Sequence, residues 1–281
     1  ATAARHRLIV AAMHYLTRKD DAAPEASRAA GSGAAQRSER GERGGEVDDV
    51  VDECQDLQIA STKLAWWRQE VAKLYSGKPE HPVTQALVPV IAEFSVPQEQ
   101  LLEIIDGMEM DLQQSRYLDF KALSLYCYRV ASVVGLLAAE IFGYQDRKTL
   151  KYAHDLGMAF QLTNIIRDVG EDARRGRVYL PMDELKRFEV PVADILNARH
   201  SDNFRKLMEF QIERAEQFYA QAMSMLPAVD RKTQRPGLVM AAIYRTLLEE
   251  IKNDGCLVLN QRTSLTPIRK LWIAWRTWIK G

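Results

Sequence analysis

Gln161 to Pro181 reads QLTNIIRDVGEDARRGRVYLP, and it sets Asn164, Asp168 and Asp172 at successive four-residue steps. In a helix, residues four apart share one face, with Cβ atoms roughly 5–6 Å apart, so three oxygen-bearing side chains form one stripe. A row of acids beside arginines is commonly just a solvated, salt-bridged helix face. The preceding run, LGMAFQLTNII at 156–166, argues against that, because it is apolar almost all round and such helices are buried. Carboxylates at the end of a buried helix are costly unless a metal ion or cations compensate them. Upstream, DDVVDE at 48–53 repeats the device with Asp48 and Asp52, and Asp49 beside them. Two acidic stripes on separate helices suggest a shared metal site.

The ligand chemistry narrows the metal. Carboxylates and an amide oxygen, with no His or Cys nearby, suit a hard cation such as Mg²⁺ and not zinc. Mg²⁺ keeps waters and binds through one or two carboxylates plus phosphate oxygens, so the implied substrate is a phosphate ester or diphosphate. Arg167, Arg174, Arg175 and Arg177 interleave with the acids. Their guanidinium forks match phosphate oxygens in a bidentate way.

On these two motifs the sequence resembles the squalene and phytoene synthase family, the head-to-head prenyl-diphosphate condensing enzymes. The likeness extends through KLAWWRQEVAKLY at 63–75, LLEIIDGMEMDL at 101–112, YCYRVASVVGLLAAEIFGY at 126–144 and RKLWIAWRTW at 269–278. Over Glu46 to Trp278 it is most similar to the branch that makes presqualene diphosphate in bacterial hopanoid biosynthesis. The resemblance implies an all-α isoprenoid synthase fold, a single bundle of helices around a central apolar cavity. It implies Mg²⁺-dependent joining of two farnesyl diphosphates to presqualene diphosphate, with squalene or phytoene as the alternative product.

The family positions carried onto this chain give Asp48, Asp52, Asn164, Asp168 and Asp172 as metal ligands. Gln161, Arg167, Arg177, Tyr128, Val133 and Gly135 become substrate contacts. The base is the released diphosphate or a tyrosine, Tyr179 or Tyr244. Small residues on 120–142, Ala131, Ser132, Gly135, Ala138 and Ala139, leave room for close helix packing or for an alkyl chain. A carbocation needs dry, π-rich walls, for which Tyr126, Tyr128, Phe160, Tyr179 and Tyr244 are candidates.

The resemblance stops at one boundary. Where the family has an aromatic helix ending in Cys-Arg ahead of Glu-Val-Asp-Asp, this chain has Gly44 and Gly45. The stretch 28–45, RAAGSGAAQRSERGERGG, lacks apolar periodicity and reads as flexible. A shifted reading frame over residues 1–45 would make such a boundary, so residues 46–281 form the expected synthase domain. The alternative from another class is a catalytically impaired protein that still binds prenyl diphosphates.

Composition fits a helical enzyme. The 281 residues carry 38 Lys and Arg against 38 Asp and Glu, so no global charge points to nucleic acid. Three widely spaced cysteines, Cys54, Cys127 and Cys256, suit reduced thiols in the cytoplasm, and five histidines show no metal-ligand spacing. No run of eighteen apolar residues is evident for a membrane span. Helices are expected over 46–75, 98–115, 120–142, 147–175, 201–226 and 236–254, with Gly143, Gly176 and Gly255 as stops. In Pro267–Gly281, Ile268, Leu271, Trp272, Trp275 and Ile279 make an apolar stripe among Arg269, Lys270, Arg276 and Lys280. Such helices lie in a membrane interface or pack on their own core. Peripheral contact with the inner face of the cytoplasmic membrane is the expectation.

Overall fold

The computed structural model describes residues 57–280. The 1–45 segment, Asp48, Asp52 and Cys54 lie outside the described residues. Ten helices follow in order: α1 Leu57–Tyr75, α2 Pro82–Phe94, α3 Gln98–Gln113, α4 Phe120–Phe142, α5 Lys148–Arg174, α6 Met182–Arg187, α7 Val192–Leu196, α8 Asp202–Met225, α9 Arg235–Asn253 and α10 Pro267–Lys280. Among the described residues there is no strand, only a one-residue bridge between Arg116 and Val178. The described residues are all-α, as the resemblance implies.

The glycine stops hold, with Gly143, Gly176 and Gly255 at φ of 80°, 74° and 71°, a region a side chain rarely enters. Helix α2 is absent from the expected helices, which leave 76–97 as a connection between elements. Proline suits the first turn, where its missing N–H costs nothing. Here Pro82 opens α2 while His81 Nδ1 accepts from Val83 N at 3.4 Å.

Helix α5 is the axis of the bundle, with every residue from Asp155 to Gly170 buried. It packs along α8 and crosses α4 and α9. The α4 crossing is backbone to backbone: a Cβ on Gly157 would lie 2.6 Å from Ser132 Cα, and one on Gly135 would lie 2.6 Å from the Ala153 carbonyl oxygen. By length and composition α4 could span a bilayer, which corrects the sequence reading that no segment could. Half of its most apolar window is buried inside the protein, against α3 and α5, so it serves as a core helix.

Within α4, Tyr128–Ser132 winds as a π turn. A π turn admits one extra residue and rotates the helix face beyond it. The connection after α5 is zipped to the connection after α3. Val178 N donates to Ser115 O at 3.1 Å, Met182 N to Tyr117 O at 2.9 Å, and the Arg116 guanidinium to Gly176 O at 2.6 Å. That pairing carries Tyr179 back against α3 and α4.

Candidate active site

The C-terminal half of α5 keeps its polar row inside. Asn164, Asp168 and Asp172 are 7%, 4% and 8% exposed, and Gln161, one turn earlier, is 8% exposed. The solvated-face reading of the row therefore fails. Asp168 is held by two guanidiniums: Arg167 bonds both of its oxygens, at 2.8 and 2.7 Å, and Arg262 Nε donates to Oδ1 at 2.9 Å. Arg167 is itself 2% exposed, so this is a buried, charge-compensated cluster. Arg262 also reaches Glu171 at 3.5 Å.

Asn164 Nδ2 donates weakly to Gln161 Oε1 at 3.4 Å, while Asn164 Oδ1 is buried and accepts no hydrogen bond. A buried acceptor left unmade costs about 1–3 kcal/mol. An oxygen-only donor set with one orphaned acceptor fits a hard cation. The row supplies only two carboxylates and an amide, and among the described residues no three His, Cys, Asp or Glu side chains cluster as a metal group. A full ligand set therefore needs donors from elsewhere, the place the sequence gives to Asp48 and Asp52.

Beside the row stands a tyrosine cluster. Tyr179 Oη donates to Asp111 Oδ1 at 2.8 Å and Tyr126 Oη to Oδ2 at 3.1 Å, with the two rings stacked at 5.3 Å. Tyr117 lies against both, at 5.5 and 5.8 Å. Arg177 closes the group, its guanidinium bonding the Asp111 carbonyl at 3.3 Å and reaching the carboxylate at 4.0 Å. Burial, and then the Asp111 and Asp172 charges, push the Tyr179 phenol well above its ordinary range. Burial, then Asp111, does the same to Tyr126. Both phenols are neutral donors at ordinary pH.

The matched region of the squalene/phytoene synthase family model covers residues 45–269. The chain belongs to the squalene/phytoene synthase family. It is 36% identical over 238 residues to a phytoene synthase of Arthrospira platensis, covering 80% of this chain and 77% of that one. It is 35% identical over 237 residues to a 15-cis-phytoene synthase of Synechococcus elongatus, with 80% and 77% covered. Among solved structures it resembles squalene synthase HpnC of Alicyclobacillus acidocaldarius, with a TM-score of 0.69 at 26% identity over 74% of this chain and 79% of that one. A dehydrosqualene synthase shares the fold, with a TM-score of 0.78 at 23% identity over 98% of this chain and 86% of that one. The isoprenoid synthase fold and membership among the prenyl transferases stand on these matches.

The remaining expected contacts divide. Gln161, Arg167, Arg177 and Tyr179 are gathered around the row, whereas Arg174 and Arg175 are exposed to solvent. Tyr244 is 2% exposed and packs on Phe160 at 5.0 Å, farther along α5. Tyr128 turns away from the tyrosine cluster, half-buried against His154 at 5.9 Å, and Tyr126 takes the place beside Tyr179. Val133 is fully buried, but Val134 and Gly135 line the apolar cavity between α4, α5 and α9, with Phe160 and Gly157. The extra residue of the π turn separates these faces, and a uniform 3.6-residue period does not anticipate it.

Arg262 and Asp111 are not among the residues that the sequence points to. Asp111 carried a signal, an acid at the apolar end of MEMDL. Arg262 sits in the connection after α9, where no periodicity marks it. Cys127 and Cys256 are free, buried thiols, and burial pushes Cys256 up to about 11.

Proposed function

We propose that this transferase joins two farnesyl diphosphates head to head to give presqualene diphosphate. The observation that carries the reading is the buried Asn164, Asp168, Asp172 row, with an orphaned amide oxygen, set against three guanidiniums and a stacked tyrosine cluster. Asn164, Asp168 and Asp172 would hold Mg²⁺ together with Asp48 and Asp52. A divalent cation bound there supplies positive charge against a leaving diphosphate.

Arg177 takes phosphate oxygens, and Arg167 and Arg262, which grip Asp168, add positive charge that holds the leaving group in place. Departure of diphosphate leaves an allylic cation. Tyr117, Tyr126 and Tyr179 face it with π surfaces and exclude water, which would otherwise quench it. Attack by the second chain's alkene and loss of a proton close the cyclopropane. Between the two tyrosines named from sequence, Tyr179 has a carboxylate directly behind its hydroxyl. As the phenol accepts a proton from the substrate, its own passes to Asp111.

A second reading, phytoene formation from geranylgeranyl diphosphate, is favoured by the names of the relatives. One experiment separates these outcomes: the full chain with Mg²⁺ and each diphosphate in turn, with and without NADPH, followed by mass analysis of the products. Presqualene diphosphate from farnesyl diphosphate without NADPH supports the proposal. Product only from geranylgeranyl diphosphate selects the second reading, squalene only with NADPH selects the reductive one, and binding without turnover marks an impaired enzyme.

A further inference from the structure

Helix α10 is built inside out. At 100° per residue, Ile268, Leu271, Trp272, Trp275, Trp278 and Ile279 fall on one unbroken stripe, and all six are exposed, from 53% to 81%. The other face, with Lys270, Ile273, Ala274 and Thr277, is half-buried. Helix α10 packs on α9, and Arg269 is tied to Glu250. An amphipathic helix in a globular protein normally turns its apolar stripe inward. This one presents three tryptophans and three aliphatic side chains to the outside.

We propose that this face is a membrane-docking surface that lies in the interface of an anionic bilayer. Two observations choose this occupant. First, α10 contains no acidic residue but has Arg269, Lys270, Arg276 and Lys280 in its fourteen positions. Arg269 and Arg276 stand along one edge of the apolar, Trp-rich stripe, with Lys270 on the packed face, and such an edge matches the headgroup boundary, where indole rings rest and arginine meets anionic lipid. Secondly, α10 offers no acidic residue to the cations of a second copy's helix, so pairing two such helices would form no ion pair between them. Arg276 over the Trp272 ring at 5.4 Å and Arg235 over Trp278 at 5.5 Å hold two of the indoles at the rim of the stripe.

Helix α9, on which α10 rests, carries Tyr244 and Met240 on its inner side, so a docked α10 sets this wall of the bundle against the lipid. The hydrocarbon chains of the proposed substrate and product share that phase.

The test is flotation of the full chain with phosphatidylcholine vesicles, with and without phosphatidylglycerol, beside Leu271→Ser/Trp275→Ser. It needs no substrate and no turnover, so its result is independent of the proposed reaction. The parent is expected to float with the anionic vesicles at least fivefold more than the variant, and less in high salt. Both altered positions are exposed, so the unfolding temperature should not move. If it does move, quenching of the parent's indole fluorescence by brominated lipid decides instead. Equal flotation of parent and variant, no flotation of the parent, or absence of quenching overturns the proposal. A parent dimer that the variant dissolves overturns it too and makes the face a self-association surface.

Discussion

Gly170 sits between Asp168 and Asp172, and replacing it with alanine tests how the row is held. A Cβ there would lie 2.3 Å from the Leu259 carbonyl oxygen, 2.5 Å from that of Val258 and 2.7 Å from Leu259 C. All three are backbone atoms, so no side chain can rotate aside, and Gly170 N already bonds Val258 O at 3.2 Å. Overpacking costs about 1–3 kcal/mol, and the rigid obstacle argues for the upper end. Alanine returns about 1 kcal/mol of helix propensity, leaving a net loss of about 2 kcal/mol. For a chain of this size that lowers the unfolding temperature by about 4–8 °C, readable by calorimetry. Moving 258–259 also draws Arg262 from Asp168, so turnover should fall further than stability alone requires. Gly107→Ala is the control: its Cβ would meet Val130 Cγ1 at 2.8 Å and Arg129 Cβ at 3.0 Å, contacts that are mainly side chain, and it should cost less. An unchanged or raised unfolding temperature for Gly170→Ala would mean that the backbone at 258–259 yields freely to a Cβ.

Asn164→Leu removes an acceptor that has no partner, so the protein should unfold at the same temperature or higher, while turnover falls at least a hundredfold; melting and activity on one preparation check both. Tyr152 is buried with an unpartnered hydroxyl, and Tyr152→Phe should stabilise by about 1 kcal/mol in a urea titration. Tyr117, Tyr126, Tyr179 and Tyr219 are all raised, chiefly by burial, above the ordinary 10.0. They stay neutral in the fold but ionise in the unfolded chain, so their stability is whole below pH 10 and drains as pH climbs beyond it; urea midpoints from pH 8 to 11 should fall along that limb. Asp230 has the opposite sign: hydrogen bonds from Thr149 and from the Asp146 and Gln145 amides outweigh its burial and hold it below 3.8. That contribution is present above pH 3.8 and is lost as pH falls, so Asp230→Asn should be less stable at neutral pH and show a flatter acid limb.

What could be read from sequence follows from what periodicity encodes. The apolar girdle of LGMAFQLTNII marked α5 as buried, and the four-residue spacing of Asn164, Asp168 and Asp172 put them on one face. Both are local properties of a regular helix. Helix α2 was hidden because its prolines read as breaks, although one of them starts it. Tyr128 and Val133 face away from where a regular helix would put them, because of a π turn that no residue type announces. Arg262 comes from 94 positions beyond Asp168 and meets it only because α9 returns the chain to α5. Such pairings depend on the tertiary path, which composition and spacing do not contain.

The proposed reaction requires the α5 row to hold a divalent cation against the diphosphate of the substrate. Diphosphate release from farnesyl diphosphate, followed with Mg²⁺ and with EDTA in the full chain and in Asp172→Asn, tests it most directly. Release should require Mg²⁺ in the parent and fall at least a hundredfold in the variant, with the unfolding temperature preserved. Release at the same rate in EDTA, or an equally active variant, would contradict it.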